Sequence, residues 1–268
     1  MPSFNYDNIQ FHYEDDGGAG DPFIFLHGLG GDTNQTFGLM KPTDHIRRIS
    51  VDFRGHGQTV SFGEAADFSF RQFADDVMAL TEHLGITHFN LGGISTGAGV
   101  ALNIALRYPA SIKKLILSRP AREDKPQDKL VCEAFIKIHQ FLQNADVATA
   151  KKRYENSHIY KTMNALSSNA GETLLGQFDY PYVKETSIKF VKLPMDCPNS
   201  NREEWTSLIH STLILACKQD PIHPFPYGLL LHEYIPNSRF MEVISKTISN
   251  KQHSAESYEA IKNFLHEQ

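Results

Sequence analysis

Residues 90–109 read NLGGISTGAGVALNIALRYP, and the fold turns on the role of Ser95 at the centre of Gly93-Ile94-Ser95-Thr96-Gly97. A G-x-S-x-G pattern acquires meaning only from its setting, a strand before it and a helix after it. Both are expected here. Phe89 to Leu91 form an apolar strand, and Ala98 to Tyr108 form a helix that starts with small residues and ends at Pro109. A serine hydroxyl is a weak nucleophile at neutral pH unless a base takes its proton and a third group orients that base. A sharp strand-to-helix turn meets the other requirement, which is exposure of Oγ. The setting favours a nucleophile over a turn serine or a helix cap.

Outward from this stretch the same unit recurs. Phe23-Ile24-Phe25-Leu26 is a short apolar run of the kind buried on both faces of a parallel sheet, and it ends in His27-Gly28-Leu29-Gly30-Gly31. RRISVDFRGHG repeats the pattern, with a strand through Ile49, Val51 and Phe53 and a loop from Asp52 to Gly57. An amphipathic helix follows, with Phe70, Phe73, Val77, Leu80 and Leu84 at spacings of three and four and Gly85 as its stop. IKKLILSRP, Thr212 to Cys217 and RFMEVI supply later strands, residues 4–14 an initial strand or hairpin, and SAESYEAIKNFLHEQ a terminal helix. The alternation predicts an α/β fold with a mostly parallel central sheet flanked by helices. Ligand chemistry in such sheets collects beyond the carboxyl ends of the strands, where the HGLGG, DFRGHG and GISTG turns lie.

Between about Arg122 and Tyr182 the strand signal disappears. KLVCEAFIKIHQFLQ, VATAKKRYENSHIYKTM and LSSNAGETLLGQF each read as a helix. Sixty residues without a strand is long for one crossover, which predicts a helical cap inserted in the core. The expected division is core over 1–121, cap over 122–200 and core again over 201–268.

Composition narrows the function classes. The 268 residues are 41% hydrophobic and 21% charged, with a formal net charge of -5, as in a soluble globular protein without a basic surface for nucleic acid. Cys132, Cys197 and Cys217 form no C-x-x-C pair, and no H-x-H or H-E-x-x-H occurs, so neither a disulfide framework nor a metal site nor a cofactor is expected. Asp75 and Asp76, adjacent on a helix, diverge too far to act as a carboxylate pair. The first residues carry no basic-then-apolar leader, and the chain offers no long uncharged apolar run. The expectation is a cytoplasmic protein without membrane insertion. The loop HGLGG lacks the spacing of a phosphate-cradling loop. Acyl chemistry instead needs amides aimed at a developing oxyanion, and the N–H groups of Thr96 and Leu29 are the candidates.

Taken together, His27-Gly28 after one strand, Asp52-Phe53-Arg54-Gly55-His56-Gly57 after the next, the Ser95 turn and the helical insertion make the chain resemble the alpha/beta-hydrolase family over nearly its whole length. The likeness is to its small bacterial-type esterases and lactonases. The resemblance implies an acid after a late strand, matched by Asp220 in LILACKQDPIHP, and a histidine just before the terminal helix, matched by His253 with Glu256 and IKNFL downstream. The chain departs from the family in carrying Lys251-Gln252 ahead of that histidine where glycine is common. His27, Gly28, Arg54 and His223 are expected as pocket or loop support, and Asp196 is a weaker acid candidate. The implied activity is that of a carboxylesterase-like serine hydrolase acting through an acyl-enzyme on a small or medium ester, lactone, thioester or amide. The same fold leaves open a carbon-carbon bond hydrolase, an acyltransferase and a non-catalytic small-molecule receptor. Of Phe135, Phe141, Tyr154, Tyr160, Phe178, Tyr180 and Tyr182 in the cap, some are expected to fill its core and the rest to line a pocket for an apolar acyl or alkyl group. The Lys and Arg residues form no cluster demanding an acidic substrate, and a homo-oligomer is left open.

Overall fold

The computed structural model describes residues 2–267. Its strands are β1 (Ser3–Tyr6), β2 (Ile9–Asp15), β3 (Asp21–Leu26), β4 (Ile46–Val51), β5 (Phe89–Ile94), β6 (Ile112–Ser118), β7 (Ser211–Ala216) and β8 (Ser238–Glu242). They form one sheet in the order β1-β2-β4-β3-β5-β6-β7-β8. The hairpin β1-β2 and the β2-β4 pair are antiparallel, and every pair from β4 to β8 is parallel. The helices are α1 (Thr33–Leu39), α2 (Phe70–His83), α3 (Thr96–Arg107), α4 (Lys129–Gln143), α5 (Val147–Asn156), α6 (His158–Leu166), α7 (Ser168–Gly176), α8 (Lys189–Lys192), α9 (Phe225–Tyr234) and α10 (Asn250–His266).

The period-two rule sorts the central strands. Ile24, Leu26, Leu115, Leu117 and Ile214 point to one face and pack with the Phe70 and Phe73 side of α2 and with α3. Phe23, Phe25, Ile116, Leu213 and Leu215 point to the other face and meet Ile261, Phe264 and Leu265 of α10. Both faces are buried, which is why these strands read as continuous apolar runs. Burial of each such side chain contributes about 1.5–3 kcal/mol. No helix among the described residues is long and apolar enough to cross a membrane.

Helices α4 to α8 lie between β6 and β7 as an insertion with its own apolar cluster. Phe135, Tyr154 and Phe178 are buried in that cluster, with Phe141, Tyr160 and Tyr180 packed against it, while Tyr182 is exposed. Most of the cap aromatics therefore build its core, while Tyr180 also reaches the wall of a cavity. The predicted single helix over VATAKKRYENSHIYKTM is two. Ser157 has an extended backbone, and its side chain accepts from the Tyr160 amide, so it caps α6 where α5 ends.

The terminal helix also begins earlier than expected. Ser249 caps it by accepting from the Gln252 amide, which puts His253 inside the first turn of α10 instead of in the loop before it.

Candidate active site

Ser95 stands between β5 and α3 with φ 58° and ψ -115°, a conformation a non-glycine residue holds only when its surroundings impose it. They do so through two close approaches. A Cβ on Gly93 would overlap the backbone of Gly97, and a Cβ on Gly97 would overlap the carbonyl of Leu26 on β3. Only glycine fits either position. The Ser95 amide donates to the Ser118 carbonyl at 2.9 Å, pinning the turn to the end of β6.

The Ser95 hydroxyl is not spent as a helix cap. Asp32, Ser69, Asp128, Asp146, Ser157, Ser167 and Ser249 each sit at an α-helix N-cap and accept a backbone amide of the following turn. Ser95 occupies the same position and makes no such bond. Its Oγ lies instead 2.8 Å from Nε2 of His223.

His223 belongs to the turn after β7. Its Nδ1 is 2.9 Å from Oδ2 of Asp220, three residues earlier. The other carboxylate oxygen of Asp220 accepts the amides of Ile222 and His223, both at 3.2 Å, so one short turn folds around one carboxylate. Arg119, just past β6, adds two donors to Oδ2, Nε at 3.1 Å and Nη2 at 2.7 Å. Arg119 Nη2 also lies 3.0 Å from His223 Nδ1. Arg119 Nη2 has its own acceptor in Oδ2, and a bare Nδ1 facing that carboxylate would be repelled. The consistent tautomer carries the proton on Nδ1, donated to Asp220, and leaves the Nε2 lone pair to accept from the Ser95 hydroxyl.

Burial alone would raise the Asp220 carboxyl, but the charges of His223 and Arg119 and their hydrogen bonds hold it far below the ordinary carboxylate range. His223 is pushed down to about 4, first by burial and also by the Arg119 charge, against the opposing pull of Asp220. The imidazole is neutral at pH 7 and free to accept a proton.

His253, the histidine expected to serve Ser95, is placed otherwise. Its Nδ1 bonds the Ile244 carbonyl at 2.7 Å, and it makes no hydrogen bond to Ser95 or Asp220. The physical reason is the early start of α10, which commits His253 to the helix's first turn. The chain carried a signal for His223. D-P-I-H-P holds an acid and a histidine at a spacing that a tight turn brings face to face, and the missing glycine before His253 marked the departure.

The remaining expected residues organise the loops. His27 is fully buried, donating from Nδ1 to the Gly28 carbonyl at 2.8 Å and accepting the Phe53 amide at Nε2 at 3.1 Å. The Gly28 amide donates to Gln35 Oε1 at 2.7 Å. These bonds fix the HGLGG turn against Ser95. Neither the Leu29 nor the Thr96 amide has a protein acceptor among the described residues. Arg54 is loop support and not pocket: it forks onto Asp76 at 2.7 and 2.6 Å inside the core. Asp196 accepts the Phe70 amide and is no part of the site. Sequence reasoning missed Lys189, a fully buried lysine on α8 whose Nζ donates to the Gly55 carbonyl at 2.6 Å and to Thr186 Oγ1 at 3.1 Å, tying the cap to the loop after β4. Burial lowers it to about 7.

The cavity nearest the HGLGG turn, about 430 Å³, lies between that turn and the cap. Leu29 and Tyr180 give it apolar surface, and Glu172, Asp179 and Gln177 make the rest of its wall polar.

Sheet order, the Ser95 turn and the hydrogen-bonded Ser95, His223 and Asp220 define the class. The chain belongs to the alpha/beta hydrolase fold family, whose family model matches residues 21–246. Among curated relatives it is 28% identical over 141 residues to ethanol acetyltransferase 1 of Cyberlindnera jadinii, a match covering 51% of this chain and 41% of that protein. The chain thus spans well under half of this relative's length. Among solved structures it is similar to the enol-lactonase from Burkholderia xenovorans LB400, with a TM-score of 0.77 and 18% identity over 99% of this chain and 100% of that one. It is also similar to the esterase EaEST from Exiguobacterium antarcticum, with a TM-score of 0.75 and 20% identity over 97% of each chain.

Proposed function

We propose that this protein is a serine hydrolase that cleaves a small carboxylic ester, or a related acyl bond such as a lactone, through a Ser95-His223-Asp220 triad. The observation that carries the reading is the 2.8 Å bond between Ser95 Oγ and His223 Nε2, on an imidazole whose other nitrogen faces a buried carboxylate. In the proposed reaction His223 takes the Ser95 proton as Oγ attacks the carbonyl carbon. Asp220 stabilises the imidazolium and keeps its ring in place. The amides of Leu29 and Thr96, free of protein acceptors and the latter at the start of α3, meet the oxyanion. The imidazolium then protonates the leaving alcohol, and water, activated by the same base, releases the acid.

A fluorophosphonate tests this directly. The expected result is stoichiometric covalent labelling of Ser95, with Ser95→Ala showing neither labelling nor ester turnover. An unlabelled wild-type protein that turns over no member of a broad ester panel would sink the reading. The alcohol acetyltransferase similarity favours one second reading, in which an alcohol and not water accepts the acyl group. An added alcohol that diverts acyl product from acid to ester would identify that outcome.

A further inference from the structure

A second cavity, about 230 Å³, lies behind the catalytic serine. It is walled by Ile94, the residue before Ser95, and by Ser118, whose carbonyl holds the Ser95 amide. Gln35, which fixes the Gly28 amide, lines both this cavity and the one under the cap, so the two flank the serine turn. Their charges are opposite. Glu172 and Asp179 line the cap-side cavity, whereas the recess contains Arg119, Lys246 and His253 and has no acid in its wall.

Three nitrogens in the recess have no protein partner among the described residues. Arg119, whose side chain is 7% exposed, spends Nε and Nη2 on Asp220 and leaves Nη1 free. Lys246 makes no ion pair, and burial lowers its ammonium to about 8. His253 is buried to 3% exposure, and its Nδ1 bond to Ile244 leaves Nε2 unused. Because burial also lowers His253 to about 4, that atom is an acceptor, and the charge of the recess comes from Arg119 and Lys246. Asp220 cancels one of these two charges. One positive charge remains uncompensated in a half-enclosed space whose wall includes Asn250, at the N-terminal and electropositive end of the 17-residue helix α10. Uncompensated buried charge is costly unless a ligand supplies its partner.

We infer that this recess is a carboxylate subsite, so that the preferred substrate is an ester whose acyl chain ends in a second carboxylate. The inference rests on the serine hydrolase reading for the word substrate, and on the recess alone for the binding of a carboxylate. Arg119 Nη1 and Lys246 Nζ bind the anion, the neutral His253 Nε2 accepts a hydrogen bond from a hydroxyl or water beside it, and the acids of the cap-side cavity repel the same group. The structure thus brings together a basic cluster that is scattered in the sequence, at positions 119, 246 and 253.

The test pairs two esters of equal chain length, 4-nitrophenyl butyrate and the 4-nitrophenyl monoester of succinate. A charge-assisted hydrogen bond favours the anionic chain by about tenfold or more in kcat/KM. Lys246→Met should reduce the succinyl-to-butyryl ratio, and Lys246→Arg should restore it. A wild-type ratio at or below one, or a ratio indifferent to Lys246→Met, overturns the subsite. A separate arm titrates succinate into Ser95→Ala by calorimetry, which needs no turnover. Binding that Lys246→Met abolishes, in a protein that hydrolyses neither ester, keeps the subsite and removes the hydrolase reading. Ester turnover without succinate binding does the reverse.

Discussion

The loops after β7 and β8 each deliver a histidine to the region of Ser95, and they do so differently. After β7, Asp220 and His223 share one turn, closed by the Ile222 and His223 amides on the Asp220 carboxylate, with Nε2 left for the serine. After β8 the chain runs into α10, and His253 is spent on the Ile244 carbonyl. Sequence position relative to a strand sets which loop a side chain occupies. The local hydrogen-bond plan of that loop sets what the side chain can reach.

The sharpest way to break this contrast is to remove each ring in turn. His223→Ala should lower kcat/KM by several orders of magnitude, and combining it with Ser95→Ala should add little, because residues acting as one unit are not additive. His253→Ala should cost about tenfold or less on a neutral ester, because it removes a bond to the Ile244 carbonyl and not the base that faces Ser95. Steady-state kinetics on the three variants decides it, and equal losses from the two histidine variants would return His253 to the reaction.

A second prediction concerns pH. In the proposed mechanism His223 acts in its neutral form, so kcat/KM should fall on acidification through about pH 4. Removal of the neighbouring guanidinium in Arg119→Met takes away a charge that lowers His223, and the acid limb should move upward in pH. An unmoved limb would show that Arg119 does not tune the base. Stability follows the same group. A folded-state value below the ordinary 6.5 of a histidine means the unfolded chain binds the proton more readily, so stability should decline as pH falls from about 6.5 to about 4.

The smallest expected effect tests the link between cap and core. Lys189→Met keeps the apolar stem but strands the Gly55 carbonyl, a loss of about 1–3 kcal/mol measured by urea unfolding. Unchanged stability would mean that the carbonyl finds another donor.

Much of this was legible in the chain. The strand before Ser95, the helix after it and the helix over Lys129–Gln143 follow from apolar periodicity, which is set by backbone geometry and so is local. The parallel sheet and the burial on both its faces followed from the repeated unit, whereas the strand order came only with the structure. The departure at His253 has a local cause too: Ser249-Asn250-Lys251-Gln252 is a serine with glutamine three residues on, a helix-start pattern that places His253 inside the helix. The basic recess was not legible, because Arg119, Lys246 and His253 meet only when the ends of β6 and β8 are brought together by the sheet. Nor was the fate of the cap rings, since the same apolar side chains suit a core and a pocket equally well.

The turn from Asp220 to His223 has a consequence for how activity is lost. In the proposed triad acid and base ride on four consecutive residues, so a local opening of this segment takes both away from Ser95 together. The Ile222 and His223 amides are bonded to the Asp220 carboxylate only while the turn is closed. Their hydrogen-exchange protection is therefore a direct gauge of the fraction of molecules poised for reaction.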